Sequence, residues 1–180
     1  STAADIAIVS EVPQYVYESD TLLVQVGITN NAGHNLPSGV TFSRQLWLEI
    51  TATSAGNILY KSGHLNENKD LYDFYIDPSQ EEDPDLSIFN TVLYNAEGDS
   101  GLRNVSVERM SYMSDYTIPT SGSKIVTYEI PVSGNLSDTI NISARLRYDN
   151  DIPSLSLVSL NNSKERLVYV NALSKFLFTY

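Results

Sequence analysis

Apolar and polar residues alternate with a period of two along most of this chain. In Leu22-Leu23-Val24-Gln25-Val26-Gly27-Ile28, the residues Leu22, Val24, Val26 and Ile28 share one face. From Gln45 to Thr53 the same holds for Leu46, Leu48, Ile50 and Ala52. Alternation carried by β-branched and aromatic residues also runs through Ile6 to Val12, Ile58 to Ser62, Lys124 to Val132 and Thr139 to Tyr148. Each such strand offers one apolar face to a core and one polar face to water. Turn-forming runs, Ala55-Gly56-Asn57, Thr120-Ser121-Gly122 and Ser133-Gly134-Asn135, punctuate the pattern. Six or more strands so arranged predict an all-β protein, an immunoglobulin-like antiparallel β-sandwich of two packed sheets, in preference to a barrel.

The regular spacing breaks between Leu65 and Arg103. There the acidic tract Asp77-Pro78-Ser79-Gln80-Glu81-Glu82-Asp83-Pro84-Asp85 lies between aromatic clusters at Tyr72, Phe74 and Tyr75 and at Phe89 and Tyr94. This is an excursion with one or two short strands of its own. It either covers a functional loop or a neighbour, or is a surface insertion anchored by its aromatics. Beyond it, Leu167 to Val170 suits a further strand and Pro153 to Leu160 a helical turn, and the ending Phe-Leu-Phe-Thr-Tyr suits packing. No repeat and no linker composition divides the chain, so one β-sandwich domain over 1–180, with an irregular excursion at about 65–103, is expected.

Charge and composition narrow the function. With 22 acidic against 11 basic residues, the net charge of -11 speaks against nucleic acid or an anionic membrane surface as a partner. The absence of cysteine rules out thiol catalysis, disulfides, zinc-thiolate sites and the Cys-x-x-Cys-His attachment of a c-type haem. No apolar run approaches the roughly 20 residues that span a bilayer. Hydrolase signatures such as Gly-x-Ser-x-Gly and His-Glu-x-x-His are missing, so no enzymatic activity is expected. The start Ser-Thr-Ala-Ala-Asp suits a processed chain or a segment of a longer product.

The residues that carry candidate chemistry lie in Asn30-Asn31-Ala32-Gly33-His34-Asn35-Leu36-Pro37-Ser38-Gly39, followed by Arg44 and Trp47. The run presents one histidine on a short loop leaving a strand. Gly33 is expected to permit a backbone shape closed to other residues, Pro37 to stiffen the path and Gly39 to release it. One imidazole cannot hold a free metal ion, whereas a haem iron, already bound by its porphyrin, needs one or two protein ligands. His34 would then bind through Nε2, with Nδ1-H held by a carbonyl or carboxylate. The plainer reading is a polar turn histidine. His64 reads as an ordinary exposed histidine, Trp47 as core, and Arg44 as a partner for a carboxylate or a haem propionate. The acidic tract lacks Asp-x-Asp-x-Asp-Gly and carries two prolines, so a solvated loop is a simpler reading than a calcium site.

The loop Asn-x-Ala-Gly-His-x-Leu-Pro-Ser-Gly, with Arg44 and the strand Leu46-Trp47-Leu48-Glu49, resembles the haem-free β-domain of multihaem c-type cytochromes. Gly56 to Gly63, Asp115 to Pro119, Val126 to Val132 and Ala144 to Tyr148 extend the resemblance, which spans about Leu22 to Tyr148 and is most specific at the loop. It implies an electron-transfer accessory module without covalent haem. His34 would be the distal axial ligand to a c-type haem of a neighbouring segment or subunit, with Arg44 near the cofactor. The implied partner is a multihaem cytochrome chain or domain, or a cytochrome assembly or filament, in a periplasmic or extracellular location. The chain departs from the family where Asn35 replaces a basic residue, Thr117 an Arg and Asp149 a frequent Arg. The rival expectation is an immunoglobulin-like adhesion or carbohydrate-binding module without a cofactor.

Overall fold

The computed structural model describes residues 3–149, except 12, 14, 67–70, 72–81, 101–104, 106 and 134–138, together with 174–175. Its strands are β1 (Ala4–Ile8), β2 (Thr21–Asn30), β3 (Gln45–Ser54), β4 (Asn57–Ser62), β5 (Thr91–Tyr94), β6 (Tyr112–Asp115), β7 (Ser123–Pro131), β8 (Ile140–Asp149) and β9 (Ser174–Lys175). One turn of 3-10 helix, Val107–Arg109, is the one helical element among the described residues. No helix among them is long and apolar enough to cross a membrane.

The strands form a sheet in the order β7-β2-β1-β9, a second in the order β4-β3-β8, and a two-stranded ribbon of β5 and β6, all antiparallel. The chain passes between the two main sheets from β2 to β3, returns by way of the ribbon from β4 to β7 and passes again from β7 to β8, as in an immunoglobulin-like sandwich, with the difference that β9 pairs with β1 in the first sheet. Alternation dictates which side chains meet between the sheets. Leu22, Val24, Val26 and Ile28 from β2 and Tyr128 and Ile130 from β7 pack against Leu46, Leu48, Ile50 and Ala52 from β3 and Ile140, Ile142, Ala144 and Leu146 from β8. The expected sandwich and its inward faces are therefore present.

The returning limb of the excursion extends the second sheet. Leu48 N donates to Ser87 O at 3.1 Å and Phe89 N to Leu46 O at 2.6 Å, so residues 87–89 pair with the half of β3 that β4 leaves free. The parting point is Gly63, with φ +70° and so close to β3 that a Cβ there would lie 2.0 Å from Leu48 O. No residue but glycine fits. The Trp47 indole donates to Gly63 O at 2.9 Å, and Gly63 N donates to Asp83 Oδ2 at 2.7 Å. Trp47 is thus buried, but it lies outside the main core, on the opposite face of β3, at the bridge to Ile88.

On the same outer face Glu49 is buried between Arg145, directly opposite in register, and Arg147, with contacts of 3.3 and 2.6 Å. The strand expected at Leu167 to Val170 and the turn at Pro153 to Leu160 lie outside the described residues.

Candidate functional site

The loop that carries His34 is pinned at both feet. Asn30, the last residue of β2, is 1% exposed and turns its side chain into the loop instead of the core. Its Nδ2 lies 2.8 Å from His34 O, 3.0 Å from Ile118 O and 3.1 Å from Pro119 O, while Oδ1 accepts Ala32 N at 2.8 Å. A primary amide has two hydrogens, so three carbonyls share them. On the other foot, Leu36 and Ile118 exchange both backbone hydrogen bonds, at 2.9 and 2.7 Å, and both side chains are buried. The Leu36-Pro37 peptide is cis.

Between these feet the crest, 33–35, is exposed. The His34 ring sits with Nδ1 2.9 Å from Asn35 O. A carbonyl only accepts, so the hydrogen of that contact is on Nδ1, and the lone pair of the neutral ring is on Nε2. Amide clasps flank the imidazole. Asn31 Nδ2 donates to Asp5 Oδ2 at 2.8 Å, and Asn35 Nδ2 donates to Thr117 Oγ1 at 3.2 Å while Asn35 Oδ1 accepts Thr120 N at 3.2 Å. Thr117 in turn donates its hydroxyl and its backbone N-H to Asp115 Oδ1 at 2.6 and 2.9 Å. Those two bonds, helped by Lys124 and opposed by partial burial, hold the Asp115 carboxyl below its ordinary range. Asn35 and Thr117, two of the three positions that depart from the cytochrome pattern, therefore touch each other.

Arg44 supports the loop from behind. Its Nη1 donates to Ser38 O, and it meets no carboxylate among the described residues. Gly39, at φ +76°, lies so close that a Cβ there would stand 2.9 Å from Arg44 Nη1. Gly33 differs from expectation: it has no positive φ, and a Cβ there would meet nothing within 4 Å. The glycine that this loop requires is Gly39. Thr41 and Thr91 tie the descending limb to β5 through their hydroxyls, 2.6 Å apart.

His64 stands apart from this site, after β4 in the other sheet. It is half-buried where an exposed ring was expected, with Nε2 2.9 Å from Thr51 Oγ1. Among the described residues no group of three or more His, Cys, Asp or Glu could hold a bare metal ion. The chemistry on offer is a single, oriented imidazole on a braced loop. Sequence reasoning named Asn30, Asp115 and Thr117 but not the bracing they supply; an asparagine closing an apolar strand was the available signal for the first.

No protein-family model matches the chain, and no curated protein matches it. Among solved structures, the chain is similar to a penta-heme cytochrome c552 from Thermochromatium tepidum, with a TM-score of 0.53 and 23% sequence identity over 86% of this chain and 33% of that one. The chain spans about a third of that cytochrome's length. At this identity the likeness establishes a shared fold.

Proposed function

We propose that this chain is a haem-free electron-transfer accessory module of a multihaem cytochrome, in which His34 is the distal axial ligand to a c-type haem of a neighbouring segment or subunit. The observation that carries the reading is the His34 ring itself: exposed, turned by Nδ1 onto Asn35 O, and free to offer the Nε2 lone pair outward. The fold shared with a penta-heme cytochrome supports it. The residues fit the group, since one imidazole suffices for an iron already held by a porphyrin, and with no cysteine the chain holds no haem covalently.

Bound there, the haem would supply the one-electron chemistry. The chain's contribution is to hold the ring in one tautomer and one orientation, so little side-chain freedom is lost on ligation. Arg44, half-buried and using one donor on Ser38, retains donors for a haem propionate. The partner is then a multihaem cytochrome, encountered in the periplasm or outside the cell.

A c-type haem peptide with an open distal position tests this directly. Titrated with the chain, it should convert from high to low spin with a Soret shift that His34→Ala abolishes and His64→Ala preserves. An unchanged Soret band, or an equal response from His34→Ala, would reject the assignment.

One observation favours a carbohydrate-binding reading. Tyr94 and Tyr112 are stacked at 4.6 Å with planes 1° apart, and Tyr112 is 53% exposed, a platform on which a sugar ring could lie. Glycan binding lost in Tyr112→Ala, without any haem response, would select it.

A further inference from the structure

We infer that the outer face of β3 and β8, where Arg145 and Arg147 straddle Glu49, docks an acidic, extended segment of a partner protein, with Lys61 of β4 as an outlying contact. This surface is independent of His34. It departs from the overall sign of the molecule: three of the chain's 11 basic residues gather around one carboxylate, in a chain whose net charge is -11. The local potential of a face, more than the net charge, decides what settles on it.

Strand pairing builds the face. Arg145 lies opposite Glu49 and Arg147 opposite Trp47, so the two arginines stand on one side of β8, about 7 Å apart along the strand. Across β3, Lys61 lies opposite Thr51, one outward position beyond Glu49, and is exposed. The half-buried His64, with Nε2 on Thr51 Oγ1, brings no acid to this surface. Among the described residues, Glu49 is the one acid that pairs with these cations, and both arginine side chains keep contact with solvent.

Donors outnumber acceptors here. Two guanidiniums carry more N-H groups than one carboxylate can engage. Arg145 spends Nη1 on Glu49 Oε1 and Arg147 spends Nη2 on Oε2. Both Nε-H groups are buried without an acceptor, and among the described residues no ion pair engages Lys61. Glu49, 6% exposed, fills the point where the two forks converge, so a single small anion finds no convergent donors. What remains are cationic groups at separate points along the sheet, roughly 7 to 10 Å apart. Carboxylates at alternate positions of an extended chain have a spacing of about 7 Å, and a guanidinium fork matches each of them.

Nuclear magnetic resonance of the Arg145 and Arg147 Nε-H groups in the full chain tests the surface, with a peptide alternating Glu and Ser as the probe and its Gln-Ser counterpart as control. The Glu peptide should shift both signals in a saturable manner that added NaCl weakens, and the Gln peptide should leave them in place. Arg145→Gln and the exposed Lys61→Gln, both expected to fold, should each weaken binding about threefold or more. Glu49→Gln, which removes the competing carboxylate, should tighten it, a response that a merely structural ion pair would not give. Sodium phosphate at matched charge should shift the signals less than the peptide does. No response to the Glu peptide, equal responses to the two peptides, an equal or stronger response to phosphate, or parental affinity in either Arg145→Gln or Lys61→Gln would overturn the proposal. So would signals that move with the concentration of the chain alone, which would make a second copy the occupant.

Discussion

Asn30 holds His34 by the backbone, its Nδ2 2.8 Å from the histidine carbonyl, while the same amide reaches Ile118 and Pro119 in the connection between β6 and β7. Because the side chain is buried, its loss strands carbonyls that water reaches poorly. Asn30→Ala should cost about 2–4 kcal/mol, from more than one orphaned acceptor at about 1–3 kcal/mol each. Asn30→Asp should cost more at neutral pH, since a carboxylate cannot donate and would face several carbonyls. Its deficit should shrink as pH falls and the introduced carboxyl becomes a donor. Urea unfolding across pH measures both, and amide exchange at 33–35 should accelerate in each variant.

Two glycines should behave oppositely. At Gly63 a methyl group would lie 2.0 Å from Leu48 O on a backbone at φ +70°, so Gly63→Ala must part β3 from the start of the excursion. A loss of at least about 3 kcal/mol is expected, with the near-ultraviolet circular dichroism of Trp47 collapsing as its Gly63 acceptor moves. Gly33→Ala, with open space around it and no positive φ, should stay within about 0.5 kcal/mol of the parent.

These contrasts show which parts of the molecule the residues spell out. The inward faces of β2, β3, β7 and β8 were legible because burial on one side leaves a period of two that no other structure produces. Strand β6 was not: Tyr112-Met113-Ser114-Asp115 buries none of its side chains, and it is a strand because β5 lies beside it. Trp47 and Glu49 occupy outward positions that alternation assigns to solvent, yet both are buried. The cover comes from residues about 40 and 100 positions away, beyond the reach of any local pattern. In the loop, a carbonyl partner for His34 Nδ1 was expected and Asn35 O is that partner, whereas the brace between Arg44 and Ser38 depends on a backbone carbonyl, which every residue has and no sequence marks.

The Glu49 cluster separates two arginines by geometry. Arg147 Nη2 lies 2.6 Å from Oε2 with its side chain 28% exposed, and Arg145 Nη1 lies 3.3 Å from Oε1 with 38% exposure. Glu49→Gln leaves two guanidiniums facing a neutral, buried amide and should cost about 2–3 kcal/mol, less than a fully buried pair because both arginines retain water. Arg147→Gln should be the worse of the two arginine variants, and Arg145→Gln should fall below about 1 kcal/mol. Chemical denaturation ranks the three; equal effects from the two arginines would contradict the asymmetry.

Stability should also fall at alkaline pH through Tyr128. Burial pushes this phenol from 10.0 up to about 12, with Asp83 and Asp85 adding to the effect and Ser87 opposing it. A folded-state pKa above the unfolded one means that the unfolded chain loses its proton first. The associated stability is therefore complete below pH 10 and is lost as pH rises towards 12, at about 1.4 kcal/mol per pH unit, or about 2–3 kcal/mol in all. Tyr60, raised by burial and by its bond to Asp85, acts in the same direction. Asp115 works at the other end: its lowered pKa gives stability present above the unfolded value of 3.8 and lost as pH falls through the folded one. Unfolding midpoints measured across pH should form a plateau with both limbs, and Tyr128→Phe should flatten the alkaline limb while leaving the acid limb in place.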